Sequence, residues 1–179
     1  MNWEYQFLLF MQDLHTPALD KAMVLLSHLG DVGLMWTIFA VLLFLMERTK
    51  RIGRDMVLSI ILAFLVGNLL LKSLIGRERP WELYAILQPL VEKPFDSSFP
   101  SGHTMNSFAA ATALFFHERK AGAAGLLLAF AIGFSRLYNL VHYPTDVLAG
   151  AAIGIGCAVA VCLFFRKREN TLLTGSRKI

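Results

Sequence analysis

The stretch Val147–Phe165, VLAGAAIGIGCAVAVCLFF, carries no charged residue. As a helix it is long enough to cross about 30 Å of hydrocarbon. A segment placed in lipid must satisfy its backbone N–H and C=O groups internally, which a helix does by itself, so this stretch decides the fold class. Four further apolar runs repeat the plan: Val32–Met46, Met56–Leu71, Thr104–Phe116 and Ala121–Ser135. Each is slightly short and reaches spanning length by taking in its flanks, which hold Lys72, His103 and Arg136. An ionisable group at a membrane end is expensive to keep there and points to function.

Composition agrees. Hydrophobic residues make up 56% of the chain and charged ones 17%, against about 45–50% and about 25% in soluble domains. The net charge of +4 does not imply nucleic acid, because the basic residues sit in clusters between apolar runs: Arg48, Lys50, Arg51 and Arg54; Arg119 and Lys120; Arg166, Lys167 and Arg168. Such clusters mark cytoplasmic loops. Residues 47–55, 117–120 and the tail from Arg166 are therefore expected inside, and the connections 72–103 and 136–146 outside. The N-terminus has an early acid, Glu4, and no basic leader segment, so insertion is expected to rely on retained spans. Trp3, Tyr5, Phe7, Leu8 and Phe10, then Thr16-Pro17 and the patch Ala22–Leu29, predict two short interfacial helices, with a sixth full span as the alternative. Leu83, Ile86, Leu87, Leu90 and Val91 have helical spacing and predict a surface helix within the outer connection 81–99. Gly150 and Gly154 form a pair that permits close helix approach. Cys157 and Cys162 lie inside an apolar run and read as packing residues.

Three polar segments converge on the outer side. Lys72 and Arg79 are seven residues apart, which on a continuous helix places them on one face, and Pro80 puts Arg79 near the helix end. Pro100-Ser101-Gly102-His103 opens a span, with Ser101 in N-cap position and Gly102 allowing an anion close to free backbone N–H groups. Ser135-Arg136 is followed by His142 and, within the first turn of a helix begun by Pro144, by Asp146. A carboxylate four residues from His142 can accept from one ring nitrogen and leave the other free to attack. Taken singly, these segments admit plain roles in snorkelling, capping or a structural His–Asp pair. Together they supply three cations, a helix N-terminus, two histidines and an orienting carboxylate, the inventory that phosphoryl transfer requires.

The motifs K-x6-R-P (Lys72 to Pro80), P-S-G-H (Pro100 to His103) and S-R-x5-H-x3-D (Ser135 to Asp146) resemble those of the type 2 phosphatidic acid phosphatase family, whose site is similar to that of the vanadium-dependent haloperoxidases. All three match in order and without departure, and the helical pattern extends the similarity from about Thr16 to Phe165. The resemblance implies that His142 is the nucleophile, oriented by Asp146, and that His103 protonates the leaving oxygen and then activates water. It implies a phosphate held by Lys72, Arg79, Ser101, Gly102 and Arg136, with no metal and no other cofactor.

The expectation is thus an all-α, polytopic membrane helix bundle of five to six transmembrane helices in the plasma or inner membrane, with its active site at the outer face and a cytoplasmic C-terminus. Residues 1–30 would form N-terminal interfacial or short membrane helices, 31–165 the phosphatase membrane domain, and 166–179 a cytoplasmic basic tail. Its partners would be the bilayer and a membrane lipid phosphate or diphosphate: undecaprenyl diphosphate, phosphatidylglycerol phosphate or phosphatidate. No nucleic acid is implied. The alternative is a small membrane transporter or binder of phosphate or anionic lipid, using the same cations.

Overall fold

The structure, a computed structural model, describes residues 3–175; the end of the basic tail, 176–179, lies outside them. The chain runs α1 (Trp3–Asp13), α2 (Pro17–Leu29), a 3-10 turn (Asp31–Gly33), α3 (Leu34–Leu45) and α4 (Lys50–Phe64). It passes through a wide π-type segment (Leu65–Leu71) into α5 (Lys72–Ile75), then α6 (Pro80–Leu83), α7 (Gly102–His117), α8 (Arg119–Tyr138) and α9 (Pro144–Gly175). There is no strand among the described residues.

Three helical stretches among these residues are long and apolar enough to cross a membrane: Lys50–Leu83, Arg119–Tyr138 and Pro144–Glu169. A fourth is added if α2 and α3, bent by 44°, are taken together. The shortfall against five to six has a physical cause in α7. This helix has 16 residues, roughly 24 Å of rise, and packs against α4, α8 and α9. Its inward positions include Thr104, Asn106, Ser107 and Thr112, all buried by the neighbouring helices. Small side chains at Ala110, Ala111 and Ala113 bring α7 close to Trp36 and Ala40 of α3, Met56 and Ile60 of α4, Ala129 of α8 and Ala158 of α9 in one core. The buried Trp36 indole donates to Ser107 Oγ at 2.9 Å. Outward, Leu42, Leu45, Leu65, Leu69, Leu127, Phe130, Leu148, Leu163 and Phe164 are exposed, an apolar exterior suited to hydrocarbon.

α9 approaches α7 through its glycines. A Cβ on Gly150 would stand 2.7 Å from the Ser101 carbonyl oxygen, and one on Gly154 2.3 Å from that of Met105. This contact sets the start of α9 beside the start of α7. α2 lies across the same end of the bundle: Thr16 N–H donates to the Tyr138 hydroxyl at 3.4 Å, and Arg136 donates to Ser27 Oγ. Both ends of α2 therefore meet the C-terminal part of α8. α1 packs Leu8 and Met11 against Leu87, Leu140 and Tyr143, and Tyr5 stacks on Tyr84 with ring centroids 4.1 Å apart.

Two expectations change, and the basic tail takes a form that the sequence left open. The surface helix within 81–99 is reduced to α6, Pro80–Leu83, because Pro89 lacks an N–H and disfavours helix at Gln88; Leu87 instead fills the small core under α1. Lys72 and Arg79 do not share a helix face, since α5 ends at Gly76 in the left-handed conformation (φ 57°). The basic tail begins as helix, because α9 carries Arg166, Lys167 and Arg168 as far as Gly175.

The α7–α9 contact is open to test. Gly154→Val forces a side chain into the backbone of Met105 and should lower stability by about 1–3 kcal/mol, read as a fall in Tm in detergent. Gly156→Ala on the same helix meets nothing within 4 Å and should leave Tm unchanged.

Candidate active site

His142 sits in the short turn between α8 and α9 and is 2% exposed. The turn is shaped by Leu140, whose φ of 58° is uncommon for a branched residue and costs about 1–3 kcal/mol. Burial of its side chain with Leu8, Met11, Leu87 and Tyr143 holds the conformation in place. Pro144 starts α9 and puts Asp146 in its first turn. Asp146 Oδ2 lies 3.5 Å from His142 Nδ1 and accepts from Ser98 Oγ at 2.5 Å and from Tyr143 N–H at 2.9 Å. With Nδ1 on the carboxylate side, Nε2 is the outward nitrogen, 3.4 Å from Arg79 Nη1.

That nitrogen faces a cavity of about 230 Å³ whose walls include Lys72, Arg79, Gly102, His103, Arg136 and His142. Three segments far apart in sequence are thereby brought to one chamber. Arg136 is almost fully buried and its Nε has no partner among the described residues; Asn68 and Asn106 also line the cavity, each with an unpartnered amide oxygen. Buried polar atoms without partners are uncommon, and here three residues that carry one line the same cavity. His103 hydrogen-bonds through Nε2 to Asp31 Oδ1 at 2.8 Å, and Asp31 is held from its other oxygen by His28 at 2.7 Å. Ser101 does not line the cavity: its hydroxyl accepts from Thr104 Oγ1 at 3.0 Å. Its N–H donates to the Asp146 carbonyl at 3.1 Å, so Ser101 ties α7 to α9 through its backbone.

Several participants escape sequence reasoning. Arg77 donates to Asp146 Oδ1 at 2.6 Å, to Thr145 Oγ1 at 2.7 Å and to Glu4 Oε2 at 2.6 Å, and its guanidinium lies 3.9 Å over the Tyr143 ring. Glu4 also accepts from Thr145 N–H and Oγ1, so α1 is fastened to the first turn of α9. Asp96 bridges Lys72 and Arg79. Burial pushes the Asp96 carboxyl up, but hydrogen bonds and charge from these two cations outweigh it and leave the acid below its usual range. The only legible signal for these roles was the charge of Glu4, Arg77 and Asp96 themselves, which does not specify a partner.

At the opposite end of the bundle Asp55, His117 and Cys162 bring ligand-type atoms within 4.8 Å of one another. Arg54 already holds Asp55 at 2.7 Å, and Arg51 and Arg166 line the same cavity, so positive charge opposes a cation there. His117 pairs with Asp55 and His15 with the Tyr138 carbonyl, ordinary packing roles.

Comparison with known proteins bears on this geometry. Residues 52–170 match the family model described as the PAP2 superfamily. The chain is 35% identical over 136 residues to a bacitracin transport permease protein BcrC of Bacillus licheniformis, covering 74% of this chain and 66% of that one. It is 30% identical over 167 residues to the undecaprenyl-diphosphatase BcrC of Bacillus subtilis, covering 93% of this chain and 83% of that one. Among solved structures it is similar to a transmembrane PAP2 type phosphatidylglycerolphosphate phosphatase from Bacillus subtilis, with TM-score 0.75, 28% identity, and coverage of 92% and 85%.

The environment of His142 sets a pH dependence. Burial, followed by the nearby Arg79 and Arg136 charges, outweighs Asp146 and holds the imidazole down to about 3. In the unfolded chain it titrates near about 6.5, so between these values only the unfolded state binds the proton. Stability from this group is complete above the unfolded value and is lost as pH falls through the folded one. Tm in detergent should therefore drop from pH 7 towards pH 4, and His142→Gln should make the drop shallower.

Proposed function

Since the chain belongs to the PAP2 superfamily, we propose that it is a membrane lipid phosphatase that removes a terminal phosphate through a phosphohistidine and without a metal. The observation that carries this reading is the meeting of His142, His103 and three cations in one cavity. His142 Nε2 attacks phosphorus while Asp146 keeps the ring oriented and stabilises the charge it acquires. Lys72, Arg79 and Arg136, with the Gly102 N–H at the start of α7, offset charge on the phosphoryl oxygens. His103 gives a proton to the leaving oxygen, and in the second step takes one from the water that releases phosphate. Asp31 orients His103 for both transfers.

The site lies where α7 and α9 begin and α4 and α8 end, remote from the basic residues Arg51, Arg54 and Arg166. We place those residues at the cytoplasmic face and the site at the outer face. α3, the stretch from α4 into α5, α7, α8 and α9 then make five spans, and α1 and α2 rest at the outer interface. Residues 31–165 form the phosphatase membrane domain. A lipid can leave its tail among the exposed leucines of the helices and lift only its headgroup to the cations. Undecaprenyl diphosphate, phosphatidylglycerol phosphate and phosphatidate all present a terminal phosphate in this manner.

The test is phosphate release in detergent, with EDTA present, across that panel of lipids. At least one should be hydrolysed, and His142→Ala should abolish both release and trapping of labelled phosphate on the protein. Labelled phosphate on the His142→Ala protein would remove His142 as nucleophile.

A further inference from the structure

Resting on the reading of this cavity as a phosphate site, we propose that Asp96 is a specificity-determining residue. Its carboxylate holds the two cations that would grip the phosphate, so a terminal phosphoryl dianion displaces it and the monoanion of a phosphodiester lipid does not.

The geometry separates fixed groups from a movable one. Arg79 is 2% exposed and the Lys72 side chain 10%, whereas the Asp96 side chain is half-exposed. Arg79 gives Nη2 to Asp96 Oδ1 at 2.6 Å and Nε to the Asp96 carbonyl at 2.8 Å, while Lys72 binds the other carboxylate oxygen. The cations are therefore anchored in the wall, and their anion stands on the connection 84–101, which forms no helix. Asp96 lines the same cavity as His103, Arg136 and His142. Its neighbour Phe95 is fully exposed, so the side chain can turn outward without leaving a packed core.

Charge decides what can take its place. The surface of a bilayer is crowded with phosphodiester headgroups, each carrying one negative charge on phosphorus. Exchanging one monoanion for another on the same cations yields no Coulombic gain, and the incoming group still has to shed water. A phosphomonoester or the terminal phosphate of a diphosphate brings close to two charges near neutral pH, and its extra charge is also attracted by Arg136, which lines the same cavity. Asp96 thereby sets the threshold that a headgroup must exceed, and it returns to the cations when the product leaves.

The experiment measures binding, so it does not depend on turnover. In a His142→Ala background, calorimetric titrations at pH 8 compare phosphatidate (a monoester) with phosphatidylglycerol (a diester), each in the same neutral detergent micelles. With Asp96 present, phosphatidate should bind at least about tenfold more tightly than phosphatidylglycerol. Asp96→Asn should tighten phosphatidylglycerol binding by about tenfold and shrink the monoester preference, and Asp96→Glu should restore it. Asp96→Ser serves in place of Asp96→Asn if the latter does not fold. A monoester preference unchanged by loss of the carboxylate overturns the proposal. So does weaker binding of both lipids, which would make Asp96 a structural clamp on Lys72 and Arg79. Failure of the phosphatase reading is seen separately, as phosphatidate that binds the His142-containing protein while no lipid of the panel is hydrolysed.

Discussion

Asp146 is a fully buried carboxylate, and a buried charge is tolerated only when its lone pairs are met by donors. Arg77, Ser98, the Tyr143 N–H and His142 gather around it, and they come from three different parts of the chain. Meeting that one charge draws the connection after α5, the segment before α7 and the turn before α9 to a common point. Arg77 extends the requirement to Glu4, and so to α1. The orientation of His142 and the seating of the N-terminal helix are consequences of the same electrostatic demand. Removal of one partner would leave the others with an uncompensated charge, which is why the network is cooperative rather than a sum of separate bonds.

The apolar frame makes that polar end possible. Glycines on α9 let it pass within backbone contact of α7, and the alanine run of α7 lets α3, α4 and α8 close around it. α7 can then carry polar residues on its inward positions, because the neighbouring helices bury them. The cations are held in the same way: Arg79 and Arg136 are buried, and both line the cavity. Cations fixed before a ligand arrives need no reorganisation as charge builds up on phosphorus.

Much of this was legible in the sequence, for definite reasons. Apolar runs of spanning length announce helices whatever their neighbours, and Pro80, Pro100 and Pro144 mark where connections give way to helix. Lys72, Arg79, His103, Arg136 and His142 stand out as ionisable residues at the ends of such runs or in the connections between them, with Gly102 beside His103, and the structure brings all six to one cavity. The number of spans was less legible, since the run Thr104–Phe116 that composition offers as a span folds as a helix of only 16 residues. The helix within 81–99 failed because apolar spacing cannot distinguish a helix from an irregular segment whose Leu87 fills a core under α1. Placing Lys72 and Arg79 on one face assumed a continuous helix, and Gly76 ends it between them.

Helical class, the polar ends of the helices and the three motifs that carry the chemistry are properties of local residue order, and the sequence by itself determined them. Partners are not local. That Asp96 bridges Lys72 and Arg79, that Asp31 holds His103, and that Glu4 reaches Asp146 through Arg77 depends on where helices cross and loops return. An acidic side chain such as Asp96 has several cations within reach of its sequence position. Only the packed bundle, by burying some of those charges and exposing others, decides which pair forms.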